Sequence, residues 1–257
     1  MVNAMTELVL HGVGNGVVVY SDGSTTPIKN AQDVSIEITA TEEDVFGGDG
    51  LFPILSYIKE KGGSLKITNA TTSINHLKIT QGATINRSQA QAFMVSDVKT
   101  PGSGTLTLEK TSGIDVASVT CIKLSDGQAL KRVDTEPAEG EFSVTEAGVV
   151  KVDESLTEEL EFSYFYKSAN ALSAKLATNA IPGVVEYRHH LVTEDVDGKK
   201  YNVYFRVYKA KCSGSFSFNM QRGTASAPSL EFKLLDPKRA DNAFLDYTIE
   251  EVVEETA

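Results

Sequence analysis

The sequence contains no tryptophan, only two cysteines and seven prolines among its 257 residues. Two cysteines exclude a disulfide-dense secreted scaffold, and so few prolines exclude a collagen-like or linker-like chain. The absence of tryptophan argues against a carbohydrate-binding module that grips sugars on an exposed aromatic platform. No segment approaches the roughly 20 consecutive apolar residues that span a bilayer, so no membrane partner is expected.

Basic side chains are also scarce, since 24 of them stand against 35 acidic ones, and the formal net charge is −11. Such a chain repels phosphate, which argues against a protein that grips nucleic acid but not against one past which DNA slides. Residues 1–20 lack a basic segment and a long apolar run, so no secretory signal is expected. Cys121 and Cys212 are expected to be reduced and packed, with a single disulfide as the alternative.

Period-two alternation of apolar and polar residues dominates the chain and is typical of half-buried strands. It predicts strands around residues 34–38, 65–68, 105–110, 201–208 and 215–219. Asp-Gly pairs at residues 22–23, 126–127 and 197–198 predict tight hairpin turns. The clearest hairpin rises from Val184 to Val192, turns at residues 194–198 and returns from Tyr201 to Ala210.

Two segments have helical features. The stronger is Leu51–Lys61, where Asp49 is a candidate N-cap, Pro53 lies in the first turn, and Gly62-Gly63 follows the end. Its apolar residues at positions 51, 54, 55 and 58 predict one buried stripe. The weaker candidate is residues 73–81, which end at Gly82. The predicted class is therefore mainly β with one flanking α-helix.

Gly- and Pro-containing seams near residues 100–104 and 179–183 divide the chain. The segment between them has enough strands for a small, Ig-like β-sandwich. It either follows an N-terminal domain or is inserted into a domain built from both flanking pieces, and we favour insertion. The predicted organisation is residues 1–102 and 181–257 as one domain, with residues 103–180 as the insert.

No motif in the sequence carries recognisable chemistry. The glycines of residues 12–16 lead into a strand rather than a helix, so they predict a turn and not a phosphate loop. His189 and His190 point to opposite faces of one strand and make a poor metal pair. Asp195 and Asp197 lack the later ligands of a calcium loop. We therefore expect no enzyme, no catalytic residues, no cofactor and no metal.

Three segments resemble major tail tube proteins of long-tailed bacteriophages, and their order along the chain carries the resemblance. The first is FGGDGLFPILSYIKEKGGSLKITNATTSI at residues 46–74, preceded by the strand VSIEITA at residues 34–40. The second runs from Tyr164 to Gly223, where the insert ends and the chain returns to the main sheet. The third, SLEFKLLDPKRADN at residues 229–242, is similar to the closing strand of these proteins.

The resemblance implies a tube-type β-sandwich or barrel whose subunits join edge to edge into hexameric rings. The rings would stack into a hollow, DNA-conducting tube in the virion tail, after synthesis in the cytoplasm of a bacterial host. The insert would lie outside the tube. The implied partners are further copies of the chain, the tape measure, terminator and baseplate proteins, and DNA in transient, non-specific passage.

Two acidic segments are candidates for contacts between subunits, because loops and termini order on assembly. They are a loop at residues 41–50 and the C-terminal tail, and the alternative for both is plain solvated surface. The candidate contact residues are Glu42, Glu43, Asp44, Phe46, Asp49, Glu250 and Glu251. The alternative function is a capsid-decoration or receptor- or glycan-binding virion protein.

Overall fold

The structure is a computed structural model that describes residues 7–218, 220–223 and 227–252. It is mainly β, with 52% of residues in strands, which confirms the predicted class. The elements in chain order are β1 Leu8–Val9, β2 Asn15–Tyr20, β3 Thr25–Ile28, β4 Ala31–Val45, β5 Leu55–Asn69, α1 Ile74–Gln81, β6 Thr84–Asn86, β7 Ala90–Lys99, β8 Thr105–Thr107, a 3-10 turn Val116–Ser118, β9 Thr120–Lys123, β10 Ala129–Arg132, β11 Glu141–Val144, β12 Val149–Val152, β13 Leu160–Ser168, β14 Ser173–Lys175, β15 Val184–Asp195, β16 Lys200–Cys212, β17 Ser229–Leu234 and β18 Leu245–Glu251.

The chain divides into two compact units. The first is made of two chain segments, Met1–Thr84 and Leu176–Ala257, and the second is Ile85–Lys175. Strands β6 and β14 lie at the two ends of the second unit, Ile85–Lys175, and pair with each other in a two-stranded ladder.

The first unit is built on a nine-stranded sheet. Its strand order is β3-β2-β15-β16-β17-β5-β4, with β1 paired to β15 and β18 paired to β16. Alternate residues of β15 and β17 are buried, as period two requires, and Tyr187 and Phe232 stack with ring centroids 6.5 Å apart. These side chains and Ile79 of α1 share one hydrophobic core, which holds the sheet in place.

The turns follow the predicted chemistry. In the hairpin of β15 and β16, the Asp195 carboxylate accepts hydrogen bonds from the backbone N–H groups of Asp197 and Lys199, both at 2.9 Å. Gly198 then adopts a φ of +81°, which a side chain disfavours. The turns at residues 22–23 and 126–127 join β2 to β3 and β9 to β10, and both antiparallel pairings are present.

The helix prediction for Leu51–Lys61 is wrong. Residues 55–61 belong to β5 and pair with β4, and residues 51–54 belong to the loop before it. Apolar spacing over so short a segment does not separate a helix from a strand, and here the ladder with β4 decides the conformation. Gly63 does not end a helix either, because it lies inside β5 and pairs with Ile38. A Cβ at this position would lie 2.9 Å from both the Glu37 carbonyl oxygen and a Leu234 methyl group, so the close packing favours glycine.

The weaker helix candidate is the one that forms, as α1. Its backbone is capped at the start by the Ser73 side chain, which accepts a hydrogen bond from the Asn75 N–H at 3.2 Å. The helix ends at Gly82, which has the left-handed φ of +68° typical of a C-terminal cap. The predicted strand at residues 215–219 is absent at residues 215–218, and Asn219 lies outside the described residues.

The second unit contains a seven-stranded sheet in the order β7-β13-β9-β10-β11-β12-β8. Its own core includes Phe142 and Phe162, whose rings meet edge to face at 6.1 Å. The buried Asp97 carboxylate accepts hydrogen bonds from the Tyr164 hydroxyl at 2.9 Å and the Glu109 N–H at 2.6 Å. The Asp97 carboxylate and the Tyr164 hydroxyl therefore both have hydrogen-bond partners inside the unit.

Candidate functional site

The titratable side chains are the first candidates for a chemical site. Within the described ranges, no three His, Cys, Asp or Glu side chains are grouped closely enough to hold a metal ion. Cys121 and Cys212 are buried free thiols, and burial raises the pKa of Cys121 to about 12. Burial likewise raises the pKa of Cys212, so neither thiol has the thiolate character of a nucleophile.

The histidines have structural partners. His189 is buried and its Nδ1 lies 2.9 Å from the Tyr187 hydroxyl, whereas His190 faces the other side and stacks on Tyr204 at 4.9 Å. The two histidines thus point to opposite faces of the strand, as the sequence predicts. The glycine-rich turn before β2 packs closely on this strand, because a Cβ at Gly14 would lie 2.2 Å from the His190 carbonyl oxygen.

The polar face of β15, β16 and β18 forms a groove of about 660 Å³. One carboxylate at its edge, Glu186, accepts hydrogen bonds from the Nε atoms of Arg188 at 2.6 Å and Arg206 at 2.7 Å. Partial burial alone would raise the pKa of Glu186, but the two arginines hold it below its usual value. The charges of Glu186, Arg188 and Arg206 are thus paired with one another. The Asp246 carboxylate, which also lines the groove, accepts a hydrogen bond from the Tyr208 hydroxyl.

Acid is expected to destabilise the first unit as the pH falls below 6.5. Burial lowers the pKa of His76 and of His189 below the usual 6.5, so below pH 6.5 the unfolded chain binds protons that the folded chain does not. Stability is therefore complete above pH 6.5 and falls with pH, by at most about 1.4 kcal/mol per pH unit for each histidine. Urea midpoints at pH 7.5, 6.0 and 5.0 measure this, and an unchanged slope in the double variant His76→Gln, His189→Gln would contradict it.

The most unusual feature of the first unit is a long hairpin of β4 and β5. Only the proximal parts, residues 31–37 and 63–69, contribute to the core, whereas residues 38–62 are almost entirely exposed. We call residues 38–62 the arm. Its tip is closed by a hydrogen bond from the Ile54 N–H to the Val45 carbonyl oxygen at 2.8 Å.

The arm tip is apolar and uncovered. Leu51 is 92% exposed, Phe52 84% and Phe46 60%, and Ile54 and Leu55 are also exposed. Large apolar side chains clustered at one exposed position mark an interaction site rather than ordinary surface. Leu51, Phe52 and Ile54 are not among the contact residues predicted from the sequence, because the apolar spacing predicts a helix there, with Leu51 and Ile54 on its buried face.

The structure brings five of the seven predicted contact residues together on the arm. Glu42, Glu43 and Asp44 lie in β4, so this part of the predicted loop is strand, while Phe46 and Asp49 lie at the tip. Glu43 also forms an ion pair with Lys59 at 2.7 Å.

The other two predicted contact residues lie in β18 and not in a tail. Glu250 accepts a hydrogen bond from the Tyr204 hydroxyl at 2.9 Å, and Glu251 forms an ion pair with Lys199 at 2.7 Å. Residues 253–257 of the predicted tail lie outside the described residues. Among the described strands β18 pairs only with β16, and β3 and β4 end the main sheet path.

Comparisons with known proteins identify a family and a relative. Residues 9–245 match the family model of the YomU/Tube protein family. A tail tube protein of Bacillus phage SPR is 25% identical over 222 residues, which cover 84% of this chain and 78% of that protein. The described part of the chain contains no helix long and apolar enough to cross a membrane.

Proposed function

We propose, from the premise that this chain belongs to the YomU/Tube protein family, that its copies close into hexameric rings and that the rings stack into a tube. The chain is a structural protein of a bacteriophage tail, and its place is the virion. The proposal concerns how the subunits join and what the tube conducts. The observation that carries it is the protruding arm with its exposed apolar tip.

The arm has the properties of a contact between subunits. An exposed tip that includes Leu51, Phe52 and Ile54 is costly for a lone molecule in water, and burial against another copy removes that cost. We propose that the arm of one copy contacts a different surface of the next copy, because such a head-to-tail contact generates a closed ring or a growing stack. Glu42, Glu43, Asp44, Phe46 and Asp49 share this position and are proposed contact residues.

Sheet edges supply the second proposed contact. Unpaired strand edges bind other strands through their backbone groups, and proteins normally suppress this by short strands or prolines. In the first unit β18 offers a seven-residue edge, with Glu250 and Glu251 at its end, and β3 offers a shorter edge that contains Pro27. Pairing of such edges between neighbours would join the sheets around a ring.

The charge distribution fits a passage for DNA. The chain has a net charge of −11, and on the polar face of β15 and β16 the arginines at positions 188 and 206 are paired with Glu186. Both arginines are therefore neutralised, and the excess of acidic residues repels phosphate, so a wall with this charge does not hold DNA. The second unit is proposed to lie outside the tube, and the tape measure, terminator and baseplate proteins are the proposed further partners.

A triple substitution at the arm tip tests the proposal. Leu51→Ser, Phe52→Ser and Ile54→Ser should leave the thermal midpoint unchanged, because these side chains pack little in the monomer, and should abolish rings in electron micrographs. The matched control is Phe93→Ser, Val95→Ser and Phe165→Ser, which removes three exposed apolar side chains from the second unit. We expect the control to assemble; rings from the arm variant would contradict the proposal.

A further inference from the structure

A second cavity of the first unit lies at the base of the arm and has a volume of about 200 Å³. An apolar cavity of about 150 Å³ is large enough for a benzene molecule, so this one has room for a single phenylalanine ring. Glycine backbone at positions 62 and 63 forms part of its wall, which keeps the cavity open. Its other lining residues are the apolar Leu234, Leu235, Pro237 and Phe244 and the polar Lys61, Asp236 and Asn242.

The arm tip of the same copy is too far away to fill this cavity. The strand residues from Leu55 to Gly62 are paired with β4 in a continuous ladder, which keeps the arm extended. At roughly 3.3 Å per residue, the tip lies more than about 20 Å from the cavity. An occupant from the arm must therefore come from a second copy of the chain.

The charges of the arm are predominantly acidic. Between residues 38 and 62 there are five acidic residues and two lysines. Glu43 is paired with Lys59, whereas Glu42, Asp44 and Asp49 have no ion-pair partner within the described ranges. The tip therefore approaches any partner with uncompensated negative charge around its apolar side chains.

Lysines outnumber carboxylates at the rim of the cavity, although Asp236 is also one of its lining residues. Lys61 lines it, and Lys209 donates a hydrogen bond from Nζ to the backbone oxygen of Asp236 at 3.2 Å. Neither lysine is paired with a carboxylate among the residues that the structure describes. The Asp236 carboxylate is itself neutralised by Lys238 at 2.8 Å. The rim therefore complements the acidic arm tip.

We propose that the Phe52 ring of one copy inserts into this cavity of a second copy. Phe52 is the largest side chain at the tip among those more than four-fifths exposed. Each copy has one ring to donate and one cavity to receive, so the contact is heterologous and continues from copy to copy. The inference rests on the proposed tube assembly and names the contact through which the arm acts.

Cysteine cross-linking tests the contact directly. One preparation carries Phe52→Cys and another Leu235→Cys, and the two are mixed, allowed to assemble and oxidised under mild conditions. The native Cys121 and Cys212 are buried, so they compete little for the new thiols. We expect a disulfide-linked heterodimer in the mixture and no dimer from either variant alone.

Filling the cavity tests its contribution to assembly. Leu235 lines the cavity and is only half-buried, so a larger side chain at this position takes up space that the Phe52 ring would need. Leu235→Trp should raise the concentration for half-maximal assembly at least about tenfold, which corresponds to about 1.4 kcal/mol. Leu235→Met is the matched control, since it nearly conserves the side-chain volume, and it should assemble at nearly the wild-type concentration.

The outcomes separate the contact from the tube itself. Tubes that form without the cross-link, or assembly of Leu235→Trp at the wild-type concentration, would overturn the contact and leave the proposed function in place. A dimer from Phe52→Cys alone would indicate a symmetric tip-to-tip contact and would also overturn it. Failure of the wild-type chain to assemble would overturn the proposed function and, with it, the contact.

Discussion

Replacing Phe232 by alanine is expected to lower the free energy of unfolding of the first unit by about 3–5 kcal/mol. The ring is 1% exposed, stacks on Tyr187 and lies in β17 between the pairings with Cys212 and Leu65. Its loss leaves a cavity in the middle of the nine-stranded sheet that carries the arm. Urea unfolding should show the lower midpoint, and electron microscopy should show no rings.

Phe142→Ala is the matched control for that substitution. Phe142 is also 1% exposed, but it lies in the core of the second unit. The same loss of about 3–5 kcal/mol should therefore be confined to the second unit, and assembly should persist. Hydrogen exchange measured by mass spectrometry distinguishes the two units, and an equal loss of protection in both would show that they unfold as one.

Excising the second unit is expected to leave a folded first unit that still assembles. The excision removes residues 85–175 and bridges Thr84 and Leu176 with a short Gly-Ser linker. Because β6 and β14 are hydrogen-bonded neighbours, the two chain ends are close and a short linker closes them at small entropic cost. Circular dichroism and sedimentation measure the outcome.

An unfolded excision product would show that residues 85–175 contribute to the main core, and the insertion hypothesis would then be wrong. The matched control is residues 85–175 expressed alone. This fragment contains a complete seven-stranded sheet and its own hydrophobic cluster, so it should fold independently. A folded fragment together with an unfolded remainder would show that the first unit requires the second.

Local chemistry explains what could be predicted from the sequence. Two sequence features predict the hairpin of β15 and β16. One is the strand-like run Val184–Val192, whose alternate residues are buried, and the other is the Asp195–Gly198 turn. Both features act over a few residues. The cap of α1 is similarly local, with Ser73 at one end and Gly82 at the other. In these elements propensity and tertiary packing favour the same structure.

The arm could not be predicted in this way, because its conformation depends on a partner strand. The residues from Leu51 to Ile58 have helical apolar spacing, yet pairing with β4 makes residues 55–58 strand, and residues 51–54 lie in the loop before it. Glu42, Glu43 and Asp44 are predicted contact residues that lie on the arm, but the prediction places them in a loop and not in a strand. The exposure of the apolar tip follows from the length of the hairpin, and the cavity at the base of the arm combines residues 61–63 with residues 234–244. Neither feature is encoded in the spacing of neighbouring residues.

Negative-stain electron microscopy of the purified chain across a concentration series distinguishes a self-assembling chain from a monomeric one. We expect rings at intermediate concentration and hollow tubes with a central channel at high concentration, because each copy offers an arm and unpaired strand edges to its neighbours. Sonicated tube fragments added as seeds should lower the concentration at which tubes appear. Monomers at every concentration, with and without seeds from intact phage tails, would contradict self-assembly of this chain into a tube.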